Sequence, residues 1–171
     1  MGAVCHQRFW PCHLQAPPRR GWAVSGVDRT AYVAGFLFSP PLIGRCVLLI
    51  RKARPAWQAG KLNGIGGHIE PGETPINAME REFYEEAGLT VLNWRPVAVL
   101  TGKQFIVHFF SAWADVEFFD SARAQTDEPL VRLNLSDMWK APIIPNLRVL
   151  LPLALDTTGI AKPVMLEDLS P

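Results

Sequence analysis

Residues 67–89 constrain the fold of this chain most, because they specify one short helix together with both of its ends. The segment reads GHIEPGETPINAMEREFYEEAGL. Thr74 suits the N-cap, Pro75 suits the first helical position, and Gly88 suits a left-handed C-cap. Apolar side chains recur at helical spacing, at Ile76, Met79, Phe83 and Ala87. The pattern therefore predicts a helix that docks one side on a core.

The same helix places three carboxylates on one face. At about 100° per residue, Glu85 lies about 60° to one side of Glu82, and Glu86 lies about 40° to the other. Like charges about 4 Å apart repel by roughly 4 kcal/mol at an effective dielectric near 20, so a cation is expected among them. Arg81 reaches Glu85 at i+4 spacing, which would hold one carboxylate without neutralising the cluster. Oxygen ligands favour Mg²⁺, with Mn²⁺ as a possible substitute. The alternative is a solvated acidic face on an amphipathic helix.

The whole stretch resembles the Nudix box. Its defined positions are Gly67, Glu73 after five residues, and, after seven more, Arg81, Glu82, the apolar Phe83, Glu85, Glu86, Gly88 and the apolar Leu89. Every one of them is filled. A match of this length is specific, unlike a lone glycine motif.

The resemblance implies a loop–helix–loop that holds a divalent metal against a diphosphate. Glu82, Glu85 and Glu86 would then be metal ligands, with the carbonyl of Gly66 as a further ligand. The implied reaction is hydrolysis of a nucleoside diphosphate linked to another moiety. A metal-bound or carboxylate-oriented water would attack phosphorus in line.

Other residues take supporting roles by the same resemblance. Arg81 and Glu73 become orienting residues, and Gly66 and Gly67 allow close approach of the backbone. His68 occupies a position that relatives often fill with lysine, so it could contact a phosphate. The alternative for His68 is an exposed loop histidine.

Two residues outside the box are candidates for binding a base. Asn63 looks like an asparagine of the MutT-like nucleoside triphosphate hydrolases, and its amide offers both a donor and an acceptor. An asparagine that holds a turn beside glycine is the alternative. Trp139 resembles a tryptophan that stacks on the base in oxidised-purine triphosphatases of the family. Two acids follow that tryptophan there, but Ala141 and Pro142 follow it here, which argues against oxidised-purine specificity. A place in the core is the alternative for Trp139.

Glu128 is the candidate for an extra carboxylate opposite the helix. It lies in the segment Thr-Asp-Glu-Pro at 126–129. Many family members place a metal ligand or a general base there, and the sequence leaves both roles open. The alternative is an ordinary acidic residue of a loop.

The chain divides into an irregular extension at 1–29, a Nudix domain at 30–158 and a tail at 159–171. Strands are predicted at 31–38, 45–51, 97–101, 105–113 and 116–119, and a final helix at 145–155 with a bend at Pro152. Alternating strands and helices suit a mixed sheet covered on both faces. The resemblance makes this the Nudix α/β/α sandwich.

Composition limits the partners. The formal net charge of +1 gives no electrostatic reason to expect nucleic-acid binding. An odd count of three cysteines favours a reducing cytoplasm. No apolar run approaches about 18 residues, so no membrane span is expected. A small nucleotide is the expected partner, and a homodimer is possible.

The sequence thus predicts a metal-dependent hydrolase that cleaves a (deoxy)nucleoside triphosphate to monophosphate and pyrophosphate. One alternative is a pyrophosphatase for ADP-ribose or another nucleotide conjugate. Such enzymes usually carry proline or tyrosine some sixteen residues past the box, a region where this chain has Phe105. An alternative from another class is a catalytically silent Nudix domain that senses nucleotides. Loss of a box glutamate would favour it, and none is lost.

Overall fold

The computed structural model describes residues 29–40, 45–156 and 162–168. Its elements, in chain order, are β1 (Thr30–Phe38), β2 (Cys46–Arg51), β3 (Leu62–Asn63), α1 (Pro75–Ala87), β4 (Arg95–Thr101), β5 (Phe105–Trp113), α2 (Val116–Ser121), β6 (Leu130–Asn134), a single 3₁₀ turn (Leu135–Asp137), α3 (Leu147–Leu155) and β7 (Val164–Glu167). The predicted extension at 1–29 lies outside the described residues except for Arg29.

The strands form one mixed sheet in the order β3-β2-β1-β5-β4-β7, and β6 also pairs with β2. β1 runs parallel to β5 over its whole length, from Thr30 opposite Phe105 to Phe38 opposite Trp113. It pairs with β2 only at its end, where Phe38 lies opposite Val47. The early pair of buried strands is therefore confirmed. The remainder of that edge of β1 pairs with the loop that precedes α1.

Helices cover both faces of the sheet, so the predicted α/β/α sandwich is confirmed. On one face α1 packs over β1, and its Phe83 meets Trp94 edge-on at 4.9 Å between ring centroids. On the other face α3 packs through Leu147 and Leu150 against β1 residues such as Phe36. Each of the two cores combines the apolar stripe of one helix with every second residue of the strands, whose side chains point to that face of the sheet.

Some predicted elements differ from the structure. Residues 116–119 are apolar and were expected to be a strand, but they start α2, because the Asp115 carboxylate accepts a hydrogen bond of 2.8 Å from the Phe118 amide and caps a helix. α3 begins at Leu147 rather than at residue 145. β6 was not predicted. β7 lies within the segment predicted to be a tail, where it pairs in parallel with β4.

Among the described residues, no helix is long and apolar enough to cross a membrane.

Candidate active site

The predicted box helix is confirmed at both ends. The Thr74 hydroxyl accepts a hydrogen bond of 3.3 Å from the Asn77 amide, and Pro75 opens the helix. Gly88 closes it in the left-handed conformation, at φ 69°, and donates to the Tyr84 carbonyl. The apolar stripe faces the core, since Met79 and its neighbours along that face are buried. The acidic face lies to one side of this stripe, against the loop that precedes the helix.

The loop at 64–67, called the glycine loop below, is held at the edge of β1 by backbone hydrogen bonds. Gly35 and Ile65 exchange two bonds of 2.7 and 3.1 Å, and the Val33 amide donates to the Gly67 carbonyl at 2.9 Å. A Cβ on Gly66 would collide with the Val33 carbonyl, and one on Gly67 would lie 2.5 Å from a Glu82 oxygen. Glycine at position 66 thus lets the loop lie directly against β1, and glycine at position 67 lets it lie against the acidic face of α1.

Glu86 joins the loop to the helix. Its carboxylate accepts a hydrogen bond of 3.1 Å from the Gly66 amide. Burial raises the pKa of Glu86 to about 7, with Lys52 opposing the shift and the charges of Glu82 and Glu128 adding to it. Four charged side chains thus act on one another here. The zone where the loop meets the helix, called the acidic cleft below, is desolvated, and Lys52 lies beside it.

Arg81 contacts three glutamates rather than one. Its guanidinium binds Glu73 through two hydrogen bonds of 3.0 and 2.9 Å, and donates to Glu82 at 2.9 Å and to Glu85 at 3.1 Å. It also donates to the His68 carbonyl. The expected contact between Arg81 and Glu85 is therefore present, and Arg81 also reaches Glu73 and Glu82 because its planar fork has five donors.

The Arg81 contacts shift the pKa values of their partners in different directions. The hydrogen bonds from Arg81 lower the pKa of Glu73 and in return raise the pKa of Arg81. Burial raises the pKa of Glu82, although Arg81 opposes that shift. Glu85 is the most exposed of the set, with 55% of its side chain accessible. The hydrogen bonds from Arg81 therefore order the acidic face. Ionisation of the more buried carboxylates, Glu82 and Glu86, still costs free energy.

Glu128 is buried, at 4% exposure, so the alternative of an ordinary loop residue is wrong. Its carboxylate lies 2.5 Å from the Lys52 ammonium and accepts from the Ala53 amide. Burial favours a higher pKa for Glu128, but the hydrogen bonds from Lys52 and the Ala53 amide outweigh it and lower the pKa. A carboxylate with a lowered pKa is a weak proton acceptor. The structure shows Glu128 as the partner of Lys52, and its role as metal ligand or general base stays a prediction.

The two candidate base-binding residues lie on neighbouring backbone segments. The Leu62 amide donates to the Pro142 carbonyl at 2.8 Å, and the Ile144 amide donates to the Leu62 carbonyl at 3.0 Å. Asn63 follows Leu62, and its side chain bonds locally to Gly64 and Gln58. Trp139 is 64% exposed, so its alternative as a core residue is wrong. Met138 fills the core position instead.

His68 is exposed, and its ring lies at a tilt of 43° against Tyr32 of β1 with centroids 4.4 Å apart. The structure thus places it at the rim of the acidic cleft, because its own carbonyl accepts from Arg81.

The donor set fits a hard divalent cation, since the groups that face the cleft are carboxylates and backbone amides or carbonyls. Within the described part of the chain, no three acidic, histidine or cysteine side chains already form a ligand set. Two of the expected ligands, Glu82 and Glu85, are bonded to Arg81. Ligation by Glu82, Glu85, Glu86 and the Gly66 carbonyl stays a prediction, and it requires these side chains to turn from Arg81 toward the ion.

Lys52, Tyr32 and Gln58 were missed by the sequence reasoning. Each is an ordinary residue of a strand, a strand end or a turn, and no motif marks it. Lys52 meets Glu128 only because β2 pairs with β6, and this pairing was not predicted.

The sequence of this chain is similar to those of known proteins. Residues 28–148 match the sequence model of the NUDIX domain. An oxidized purine nucleoside triphosphate hydrolase of Danio rerio is 32% identical over 114 residues, which cover 59% of this chain and 69% of the relative. The 8-oxo-dGTP diphosphatase of Escherichia coli is 48% identical over 44 residues, which cover 26% of this chain and 34% of the relative.

The fold also matches solved structures. The NUDIX domain of Shewanella oneidensis NrtR, complexed with ADP ribose, superposes with a TM-score of 0.65 at 15% identity. The match covers 74% of this chain and 86% of that one. Because the box, the sandwich and the family match coincide over the same residues, this chain belongs to the NUDIX domain family and is a Nudix hydrolase.

Proposed function

We propose that this protein hydrolyses a nucleoside triphosphate to the monophosphate and pyrophosphate with the help of Mg²⁺, for which Mn²⁺ can substitute. The observation that carries the proposal is the hydrogen bond from the Gly66 amide to Glu86, which brings the backbone of the glycine loop against the acidic face. Family members generally use divalent metal ions. One relative is named an oxidized purine nucleoside triphosphate hydrolase, and another is named an 8-oxo-dGTP diphosphatase.

A bound metal ion would screen the phosphate oxygens and lower the pKa of a coordinated water. Residues of this chain would hold the ion and position the phosphates. Glu86, whose carboxylate accepts from the Gly66 amide, would help to hold the ion together with Glu82 and Glu85. Arg81, held by two hydrogen bonds to Glu73, would stay beside Glu82 and Glu85 when these carboxylates turn to the ion. Lys52, held by Glu128, adds a positive charge beside the site, where a polyphosphate chain would need one.

Asn63 and Trp139 would hold the base. Asn63 pairs with Ile50 across β2 and β3, and Ile50 is buried in the core beneath α1. Residues paired across neighbouring strands point to the same face, so the Asn63 side chain lies on the face of the sheet that carries α1. The exposed indole of Trp139 offers a flat surface on which a base can stack, a contact worth roughly 1–3 kcal/mol.

The test is a screen of nucleotides with Mg²⁺ and with Mn²⁺, in which phosphate and pyrophosphate are measured separately. The panel contains the four deoxynucleoside triphosphates, 8-oxo-dGTP and ADP-ribose. We expect pyrophosphate release from at least one triphosphate, and none from the Glu86→Gln variant. Turnover of ADP-ribose alone would overturn the triphosphate assignment. Binding of nucleotides without turnover of any of them would make the chain a sensing module.

A further inference from the structure

Four apolar side chains form a row across the sheet at the end where β1 begins. Tyr32 of β1 lies opposite Val107 of β5. Leu100 of β4 lies between Val107 on one side and Leu166 of β7 on the other. Residues paired across neighbouring strands point to the same face, and here it is the face that carries α3. All four side chains are half-buried. They are called the apolar row below.

The helix on this face covers the other end of the sheet. Arg95, the first residue of β4, donates to the carbonyls of Ala154 and Asp156 at the C-terminal end of α3, at 3.0 and 2.9 Å. Leu100 is the last residue but one of β4, about 16 Å further along an extended strand. α3 therefore crosses the sheet near the start of β4 and leaves the apolar row partly open.

The chain enters the sheet at the same end as the apolar row. Thr30 begins β1, and its amide donates to the Gln104 carbonyl in the turn before β5. Residues 1–28 precede it and lie outside the described residues. Within them, the segment 22–27 reads WAVSGV and carries no charged side chain. The other stretches outside the described residues hold five residues or fewer. The segment 22–27 is thus the apolar stretch best placed to cover the row.

The length of the segment fits the length of the row. Three strand spacings of about 4.8 Å separate β1 from β7, so the row is about 14 Å long. Trp22 precedes Thr30 by eight residues, which span up to about 26 Å when extended. Trp22 can therefore reach Leu166 from the start of β1, with Val24 and Val27 along the way.

We propose that residues 22–27 form a strap that lies across the apolar row, with the indole of Trp22 against Leu100 and Leu166. An indole buries a large apolar area, so it makes the main contact of the strap. The strap also joins the extension to the candidate site, because the Tyr32 ring lies 4.4 Å from the ring of His68 at the rim of the acidic cleft. This inference does not depend on which nucleotide is hydrolysed.

The first experiment replaces one tryptophan at a time in the full chain. Trp22→Ala should lower the melting temperature by at least about 3 °C, because it removes the main contact of the strap. It should also raise the fluorescence of the dye 1-anilinonaphthalene-8-sulfonate at least about twofold, because the dye binds the exposed row. Trp10→Ala makes the same change twelve residues earlier in the extension and should alter neither quantity.

A second set of variants tests where Trp22 packs. In a Leu166→Ala background, Trp22→Ala should lower the melting temperature at most about half as much as in the wild type, because both changes remove the same contact. Leu100→Ala repeats the comparison at a second residue of the row. Leu92→Ala is the control, because Leu92 is 68% exposed and precedes the start of β4, so the full effect of Trp22→Ala should remain.

Three results would overturn the inference, and none of them affects the proposed function. A wild-type melting temperature and wild-type dye binding in Trp22→Ala would show that this segment does not cover the row. Equal losses in the Leu166→Ala, Leu100→Ala and Leu92→Ala backgrounds would show that Trp22 packs elsewhere on the molecule. A wild-type dimer in sedimentation that dissociates in Leu166→Ala would show that a second copy of the chain covers the row.

Discussion

The Lys52 ammonium lies 2.5 Å from the Glu128 carboxylate, and both side chains are largely buried. Both charges also act on Glu86, in opposite directions. The pair therefore joins the ends of β2 and β6 to the acidic cleft and sets part of its electrostatic potential.

Removal of Lys52 should destabilise the protein, because it leaves a buried carboxylate without its partner. We expect Lys52→Met to cost roughly 2–4 kcal/mol in the free energy of unfolding, and a second change, Glu128→Gln, to recover part of that loss. Urea unfolding at pH 7 measures both. Arg54→Met is the matched control, because Arg54 and Asp127 form an exposed pair at 3.6 Å, and its loss should cost less than about 1 kcal/mol. If Lys52→Met and Arg54→Met lowered the free energy of unfolding equally, the pair of Lys52 and Glu128 would not be a stabilising buried pair.

The pKa of Glu86, about 7 against an ordinary 4.5, predicts a pH-dependent stability. The folded protein holds this proton more tightly than the unfolded chain does, so the metal-free protein should lose stability as the pH rises from about 4.5 to about 7. Glu86→Gln removes the titration and should lack that loss, so that the variant gains roughly 2–3 kcal/mol relative to the wild type over this range. Unfolding in a chelator at pH 4.5, 6 and 8 measures it. Glu117→Gln, an exposed change on α2, should follow the wild type.

Arg81 and Glu73 should act as one unit in catalysis. Lysine cannot reproduce the two parallel hydrogen bonds to Glu73, so we expect Arg81→Lys to lower kcat/KM at least about tenfold. Glu73→Gln should have a similar effect, and the double variant should be little worse than either single change, because both break the same contact. Arg148→Lys on α3 serves as the control. Fully additive losses would show that the two residues act independently.

Glu85→Gln should lower hydrolysis by at least about 10²-fold if Glu85 is a metal ligand, because a charged ligand is lost without a change in volume. Its ion pair with Arg81 is more than half exposed, so the free energy of unfolding should change by less than about 1 kcal/mol. Kinetics at saturating Mg²⁺ and thermal unfolding test the two statements. Wild-type turnover in this variant would remove Glu85 from the ligand set.

The box helix could be predicted residue by residue because its information is local. Thr74, Pro75 and Gly88 each suit a single position at a helix end, and the structure uses all three in that way. The apolar strands were found for the same reason, since their burial follows from composition and alternation. Residues 116–119 were misassigned because one capping carboxylate, that of Asp115, outweighed their apolar composition.

The rest of the site depends on contacts between distant segments. Neither the burial of Glu128 nor its pairing with Lys52 can be read from the sequence around either residue, because both follow from the pairing of β2 with β6. The contacts of Arg81 with three glutamates likewise depend on how α1 is oriented over the glycine loop. The metal ligands and base contacts inferred from the resemblance stay predictions.

The backbone bonds between β1 and the glycine loop bear on how the site moves. Loops that bind ligands usually exchange their amide hydrogens quickly, because they open at low cost. Here the amides of Val33, Gly35 and Ile65 are tied between the loop and the central strand of the sheet. We therefore expect their amide hydrogens to exchange with solvent deuterium slowly, at rates similar to those of amides in the core. A substrate would then meet a phosphate site formed in advance, and the energy of binding would not be spent on ordering it.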